Sequence, residues 1–178
     1  GVHVAIAQIV AEELDVAFDR VNVVMGDTAL TCNQGGASGS TGIQLGGMAL
    51  RNAAAEARRI LVERAAEQLK APVDMLVVDN GVVSVPGNAT QRASYGELIG
   101  GQYFHARLEW NKQYGNPLTL KGKAQPKQPA EYKVVGKSFP QKIVTEKVMG
   151  RTEFVTDVKV DGMLHARNRQ WVQHVKLA

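Results

Sequence analysis

Gly35-Gly36-Ala37-Ser38-Gly39-Ser40-Thr41-Gly42 is the stretch on which the fold reading turns. Before it, residues 19–25 alternate, with Val21, Val23 and Met25 on one side and Arg20 and Asn22 on the other, the pattern of a half-buried strand. After it, residues 43–69 are rich in Ala, Leu, Arg and Glu, the pattern of a long helix whose apolar positions include Met48, Ala55, Ile60 and Leu69. A loop of small residues entering a helix is a natural anion site. Glycine lets the backbone approach a ligand, the first helical N–H groups have no intrahelical acceptor, and the helix dipole favours negative charge there. Ser38, Ser40 and Thr41 add hydroxyl donors. A phosphate or pyrophosphate group is therefore the first ligand to consider, beside the plainer reading of a Gly/Ser turn with an ordinary Ser or Thr N-cap. The loop is not a Walker A motif, because no Gly-Lys-Ser/Thr follows, and it lacks the dinucleotide fingerprint in strand–turn–helix spacing.

Working outward, residues 3–15 read as a helix with Ile6, Ile9, Val10 and Leu14 on one face and Gln8, Glu12 and Glu13 off it. Gly26-Asp27-Thr28 ends the strand-like run, and Asp27 and Thr28 read equally as ligand-positioning residues or as turn caps. Residues 29–42 form a long loop of the kind that is often functional. Gly46-Gly47 is costly inside a helix and is expected to permit close packing against another backbone or a ligand. Leu76 to Val85, interrupted by Asn80-Gly81, predicts a hairpin with a type I′ turn. Ser94 with Glu97 three residues on predicts a capped short helix. Residues 111–142 intersperse Pro117, Pro126, Pro129 and Pro140 with Lys121, Lys123, Lys127, Lys133 and Lys137, and read as an extended surface linker with solvated lysines. Residues 154–160 and 163–167 read as strands around an Asp161-Gly162 turn.

The 178 residues, 44% of them hydrophobic and 21% charged, describe an ordinary globular chain of one or two domains. The fold class expected is α+β, with helices packed on a mixed or antiparallel sheet. The +4 net charge is mild, and without a basic stripe interleaved with aromatics it does not call for nucleic acid. Cys32 is the only cysteine, which excludes an internal disulfide and a self-contained cluster held by several thiolates. His3, His105, His165 and His174 lack metal-site spacing, so no metal ligand is nominated. No catalytic triad or carboxylate pair is nominated either. No apolar run is long enough to span a membrane. The apolar run 2–10 lacks a basic flank and is not read as a secretory leader. Gly1 opens directly on a helical pattern, which leads us to expect a fragment of a longer polypeptide.

Residues 1–14, then Val24-Met25-Gly26-Asp27-Thr28, then residues 34–58 carry a resemblance. It continues in Tyr132-Lys133-Val134-Val135-Gly136-Lys137, in Lys147-Val148-Met149-Gly150-Arg151 and in residues 157–167. The chain resembles the molybdopterin-binding large subunit of the xanthine dehydrogenase/aldehyde oxidase family, of the isoquinoline 1-oxidoreductase and nicotinate dehydrogenase type. The resemblance implies a molybdenum-dependent oxidoreductase that hydroxylates an N-heterocycle or an aldehyde with oxygen from water. It implies molybdopterin as cofactor, a cytosine dinucleotide tail being one of its forms, and iron–sulfur clusters on a partner small subunit. The rest of the large subunit would be a further partner. By the same resemblance Gly36, Ala37, Ser38, Gly39, Ser40, Thr41 and Gly42 are the cofactor-binding residues. Residues 1–130 are expected to be part of the cofactor domain, and residues 131–178 a linker with the opening strands of an α/β hammerhead-like domain.

The chain departs from the family pattern at three places. The family carries Gly-Gln-Gly before the first helix, its glutamine approaching the molybdenum centre, and this chain starts at the last glycine, Gly1. The family's catalytic glutamate lies in a later segment with no matching motif here, so no glutamate of this chain inherits that role. Residues 168–178 do not follow the family's Arg-Pro element. The isolated chain is accordingly expected to be inactive. A non-catalytic interaction module, using the long helix and the basic linker, is the alternative, and weak nucleic-acid binding is a third reading resting on charge alone. Substrate identity and compartment, cytoplasmic or periplasmic, are left open.

Overall fold

A computed structural model describes residues 1–33, 35–103, 105–141 and 143–166. The chain divides into two compact units, Gly1–Gln141 and Lys142–Ala178. The first holds helix α1 (Val2–Leu14), helix α2 (Gly42–Leu69), strands β1 (Val77–Asp79), β2 (Val82–Ser84) and β3 (Arg92–Ser94), helix α3 (Tyr95–Ile99), and strands β4 (Glu109–Trp110) and β5 (Leu120–Lys121). Both sheets are antiparallel, β1-β2-β3 and β4-β5, so the class is α+β as expected.

The two long helices pack through small residues. Ala7 and Ala11 of α1 and Ala54 and Ala55 of α2 are buried, and a Cβ built on Gly47 would sit 3.2 Å from Ile9 Cδ1. The costly glycine of the Gly46-Gly47 pair is thus explained by the approach of α1. Met48 departs from its expected burial: it is exposed, and the buried face of α2 runs instead through Ala54, Leu61, Val62 and Ala65. Val62 and Ala65 meet Val83 of β2 in the core, flanked by Leu76, Val78, Tyr95 and Leu98.

The predicted hairpin is present. Asn80 and Gly81 both have positive φ, 46° and 76°, as a type I′ turn requires. The turn is docked on the end of α1: Gly81 N–H donates to Asp15 O at 2.8 Å, Ala17 N–H to Asn80 Oδ1 at 3.1 Å, and Tyr95 Oη to Leu14 O at 2.9 Å. Ser94 and Glu97 form the expected reciprocal capping box on α3.

Residues 19–25 do not form the expected strand. A 3-10 turn occupies Phe18–Arg20 and the rest is extended without a ladder. The alternation of burial survives in part, with Val21 and Val23 more sheltered than Asn22 and Val24, but among the described residues no strand lies alongside to supply hydrogen bonds. In the second unit, helix α4 (Val144–Val148) is the one regular element among the described residues. Residues 154–160 hold a turn at 155–157 and no strand, Asp157 capping Phe154 N–H at 2.9 Å, and the Asp161-Gly162 turn is closed by Met163 N–H on Val160 O at 3.0 Å. A strand needs a partner, and none is present within this unit's described residues. Of the second expected strand, residues 163–166 are not paired. Residue 167, Gln34 and the divergent tail 168–178 lie outside the described residues.

Candidate functional site

The loop 35–41 leads into the first turn of α2 and is exposed along most of its length. Gly39 and Ser40 both adopt the left-handed conformation, φ 61° and 58°. For Ser40 this costs conformational energy that a glycine would not pay, so the turn is set by its surroundings and not by residue preference. Thr41 is the N-cap residue, yet its side chain does not cap the helix. Its hydroxyl donates instead to Ser38 O at 2.8 Å, while Ser38 N–H donates to Gly36 O at 3.1 Å. The loop therefore holds its own shape with internal bonds, and the Thr41 hydroxyl counted as a ligand donor in the sequence is already engaged. The start of a 28-residue helix, about 42 Å of aligned peptide dipoles, is left without a side-chain cap.

Space above this backbone is open. A Cβ at Gly36 or Gly42 would meet nothing within 4 Å, and one at Gly39 would meet only Thr41 Cγ2 at 3.9 Å. Gly35, by contrast, is pressed against the β4–β5 connection: a Cβ there would lie 2.5 Å from Asn116 N and 2.9 Å from Gly115 Cα. The loop is thus anchored at Gly35 and leaves room above Gly36, Gly39 and Gly42, which suits an anionic group resting on the helix start. Asp27, left open between two readings, is a turn cap: its Oδ1 accepts from Ala29 N–H at 2.8 Å and Leu30 N–H at 3.0 Å.

Three buried carboxylates were not found by reading the sequence. Glu12 and Glu13, placed off the apolar face of α1, are each only 2% exposed, and Glu56 of α2 is 6% exposed. Each accepts backbone N–H groups from the segment 123–135. Glu12 Oε2 takes Lys133, Val134 and Val135 at 2.9, 2.6 and 2.9 Å. Glu13 Oε2 takes Lys127 N–H at 3.1 Å while its Oε1 pairs with Arg51 Nε at 2.9 Å. Glu56 Oε2 takes Lys123 and Ala124 at 2.8 and 2.9 Å while Arg59 holds its Oε1 at 2.7 Å. The segment read as a surface linker is therefore strapped across both helices by its own backbone. Lys127, read as solvated, is largely buried and bonds Asp15 Oδ1 and Glu12 O, both at 2.5 Å.

The signal for this lay in α1 itself, whose sequence offers no continuous polar face; a helix apolar nearly all round is buried, and its carboxylates need partners. The same bonds fix the chemistry of these groups. Burial raises the Glu12 pKa, but the N–H donors of Val134, Val135 and Lys133 and the Lys127 charge outweigh it and hold the carboxyl below its ordinary value. Arg59 leads in holding Glu56 down, against burial and with help from Ala124 and Lys123. Both are ionised structural acceptors rather than proton donors near neutral pH. Among the described residues no three His, Cys, Asp or Glu side chains gather as a metal site. His3, His105 and His165 are exposed, and His174 lies outside the described residues. No helix among the described residues is long and apolar enough to cross a membrane.

Residues 1–154 match the molybdopterin cofactor-binding domain family. The chain is 35% identical over 167 residues to a nicotinate dehydrogenase subunit of Pseudomonas putida, covering 94% of this chain and 13% of that protein. It is 32% identical over 194 aligned residues to the beta subunit of isoquinoline 1-oxidoreductase of Brevundimonas diminuta, covering 93% of this chain and 25% of that protein. A third relative, 34% identical over 113 residues, is the gamma subunit of the 6-hydroxypseudooxynicotine dehydrogenase complex of Paenarthrobacter nicotinovorans, with 61% of this chain and 14% of that protein covered. The chain thus spans a quarter or less of the length of these relatives, which are named as subunits of oxidoreductases. This likeness does not favour the interaction-module reading. By the match over residues 1–154, the chain belongs to the molybdopterin cofactor-binding domain family.

Proposed function

We propose that Gly36, Ala37, Ser38, Gly39, Ser40, Thr41 and Gly42 hold the anionic tail of molybdopterin in a protein that hydroxylates an N-heterocycle or an aldehyde. The observation that carries this is the combination at residues 39–42: left-handed Gly39 and Ser40 lead into a long helix with no side-chain cap and open space above the backbone. An anion there gains from N–H donors and from the helix dipole without displacing any cap. When bound, the cofactor supplies two-electron redox chemistry at molybdenum, with the inserted oxygen coming from water. This chain's part is to bind and orient. The Gly35 contact with Asn116 fixes the loop, and the glycines keep the backbone accessible. In the same reading iron–sulfur clusters on a small partner subunit receive the electrons. Residues 131–178 are, in the same reading, a linker and the opening of a neighbouring, hammerhead-like domain.

The test is bound molybdenum and released pterin, measured by mass spectrometry on the whole protein that carries this domain, wild type against Gly39→Val. A branched side chain at φ 61° disturbs the loop while leaving the helix core untouched. Loss of both molybdenum and pterin in a folded variant is the expected result. Retention of both, or a well-folded wild type that takes up no molybdenum when supplied with it, overturns the reading.

A further inference from the structure

Beside the start of α2 lies a cavity of about 370 Å³ that the cofactor reading does not use. Its floor is one face of α2, where Leu45, Ala49 and Ala53 follow each other at four-residue spacing. The opposite wall comes from the β4–β5 hairpin and its connection: Trp110, Tyr114 and Leu120. Trp110 and Tyr114 meet edge to face, ring centroids 5.0 Å apart at 63°, so the wall offers both a ring face and a ring edge. None of the lining side chains carries a charge. The volume is near the lower end of small-molecule sites, room for one or two rings.

We propose that this cavity is a binding site for a small, neutral aromatic molecule. The absence of any lining charge selects against an ionised ligand, which would lose its hydration for no partner. The aromatic pair and the small Ala49 and Ala53 floor fit a flat ring better than a branched aliphatic chain. The hairpin wall is held to α2 by Asn52 Nδ2 on Leu120 O at 3.0 Å, so the cavity is formed before any ligand arrives. The cavity adjoins the anion loop, since Gly115 and Asn116 line it and also press on Gly35, but a probe that contains no phosphate tests it separately from cofactor retention.

The experiment is methyl NMR of the full chain, following Leu45, Ala49, Ala53 and Leu120, titrated with p-cresol and, in parallel, with p-toluate as a charged analogue of similar size. Saturable shifts confined to these methyls with p-cresol are expected, with p-toluate weaker by about tenfold or more. Ala53→Phe, which fills the floor, should abolish the shifts. Tyr114→Ala, at an exposed wall position that tolerates truncation, should weaken p-cresol by about threefold or more, and it keeps the test decisive should Ala53→Phe not fold. No saturable shift, equal binding of both probes, or unchanged affinity in Tyr114→Ala overturns the proposal. Shifts that follow protein concentration instead of probe concentration would also overturn it, because a second copy would then be the occupant.

Discussion

Replacing Glu12 should separate the work of its charge from that of its oxygen. One oxygen, Oε2, accepts three backbone N–H groups, and the other shares the Lys133 N–H at 3.0 Å and lies 3.7 Å from Lys127 Nζ. In Glu12→Ala all three donors lose their acceptor and Lys127 keeps only Asp15 and the Glu12 carbonyl. Bonds to a charged acceptor are worth about 1.5–3 kcal/mol each, but Val134 and Val135 are only half-buried and Lys133 is exposed, so water recovers part of the loss. The net expectation is a destabilisation of about 3–4 kcal/mol, within the range for removing one partner of a buried charge pair. Glu12→Gln keeps a carbonyl oxygen for the three donors but loses the charge and sets an amide NH2 against Lys133 N–H and Lys127, so a smaller cost of about 1–2 kcal/mol is expected. Urea unfolding gives the totals, and amide exchange at residues 133–135 gives the local effect, faster in the Ala variant than in the Gln variant. An Ala variant within about 1 kcal/mol of wild type, or Ala and Gln variants that behave alike, would refute the three-donor account.

Acid should act through the same groups. Glu12 and Glu56 have folded pKa values held below the ordinary 4.5, so the unfolded chain binds protons first as pH falls, and the stability these carboxylates supply is present above about pH 4.5 and lost as pH drops through their folded values. A urea midpoint that stays flat from neutral pH down to about 3 would count against this, and Glu12→Gln should shallow the acid slope. Gly81→Ala should cost about 1–2 kcal/mol, because the residue sits at φ 76° with Val16 Cγ1 3.2 Å from the added carbon; a thermal midpoint equal to wild type would contradict it. Ser94→Ala removes the α3 capping box and should cost about 1 kcal/mol, whereas Ser94→Thr, which keeps a hydroxyl to accept from Glu97 N–H and donate to its carboxylate, should recover most of it in the same melt.

The elements legible in the sequence were those whose signals are local. The two long helices, the Asn80-Gly81 turn and the Ser94–Glu97 box each announce themselves within a few residues, and the structure has all of them. What failed to read was non-local. Residues 19–25 and 154–160 have strand composition, but a strand exists by virtue of a neighbour that no local window contains. The Pro- and Lys-bearing segment looked solvated because its binding partners, Glu12, Glu13 and Glu56, lie 67 to 123 residues away. Its contribution is also made by backbone N–H groups, which every residue other than proline carries and which leave no trace in side-chain pattern. At the loop 35–42, residue types announced an open helix start, while the engagement of the Thr41 hydroxyl by Ser38 O depended on loop geometry alone.

The strap over α1 also imposes an order of events on biosynthesis. Glu12 leaves the ribosome 121 residues before Lys133, the first of its donors in the chain. At about 5–20 residues per second, that interval is roughly 6–24 s, long compared with helix formation and collapse. During it, α1 can form but cannot be buried without stranding ionised carboxylates in apolar surroundings. The nascent first unit is therefore held short of its final packing until residues 123–135 have emerged, and closure comes late and nearly all at once. A chain stalled before residue 135 should remain open, hydrated at α1 and sensitive to proteolysis there, however well its hairpin and long helix have already formed.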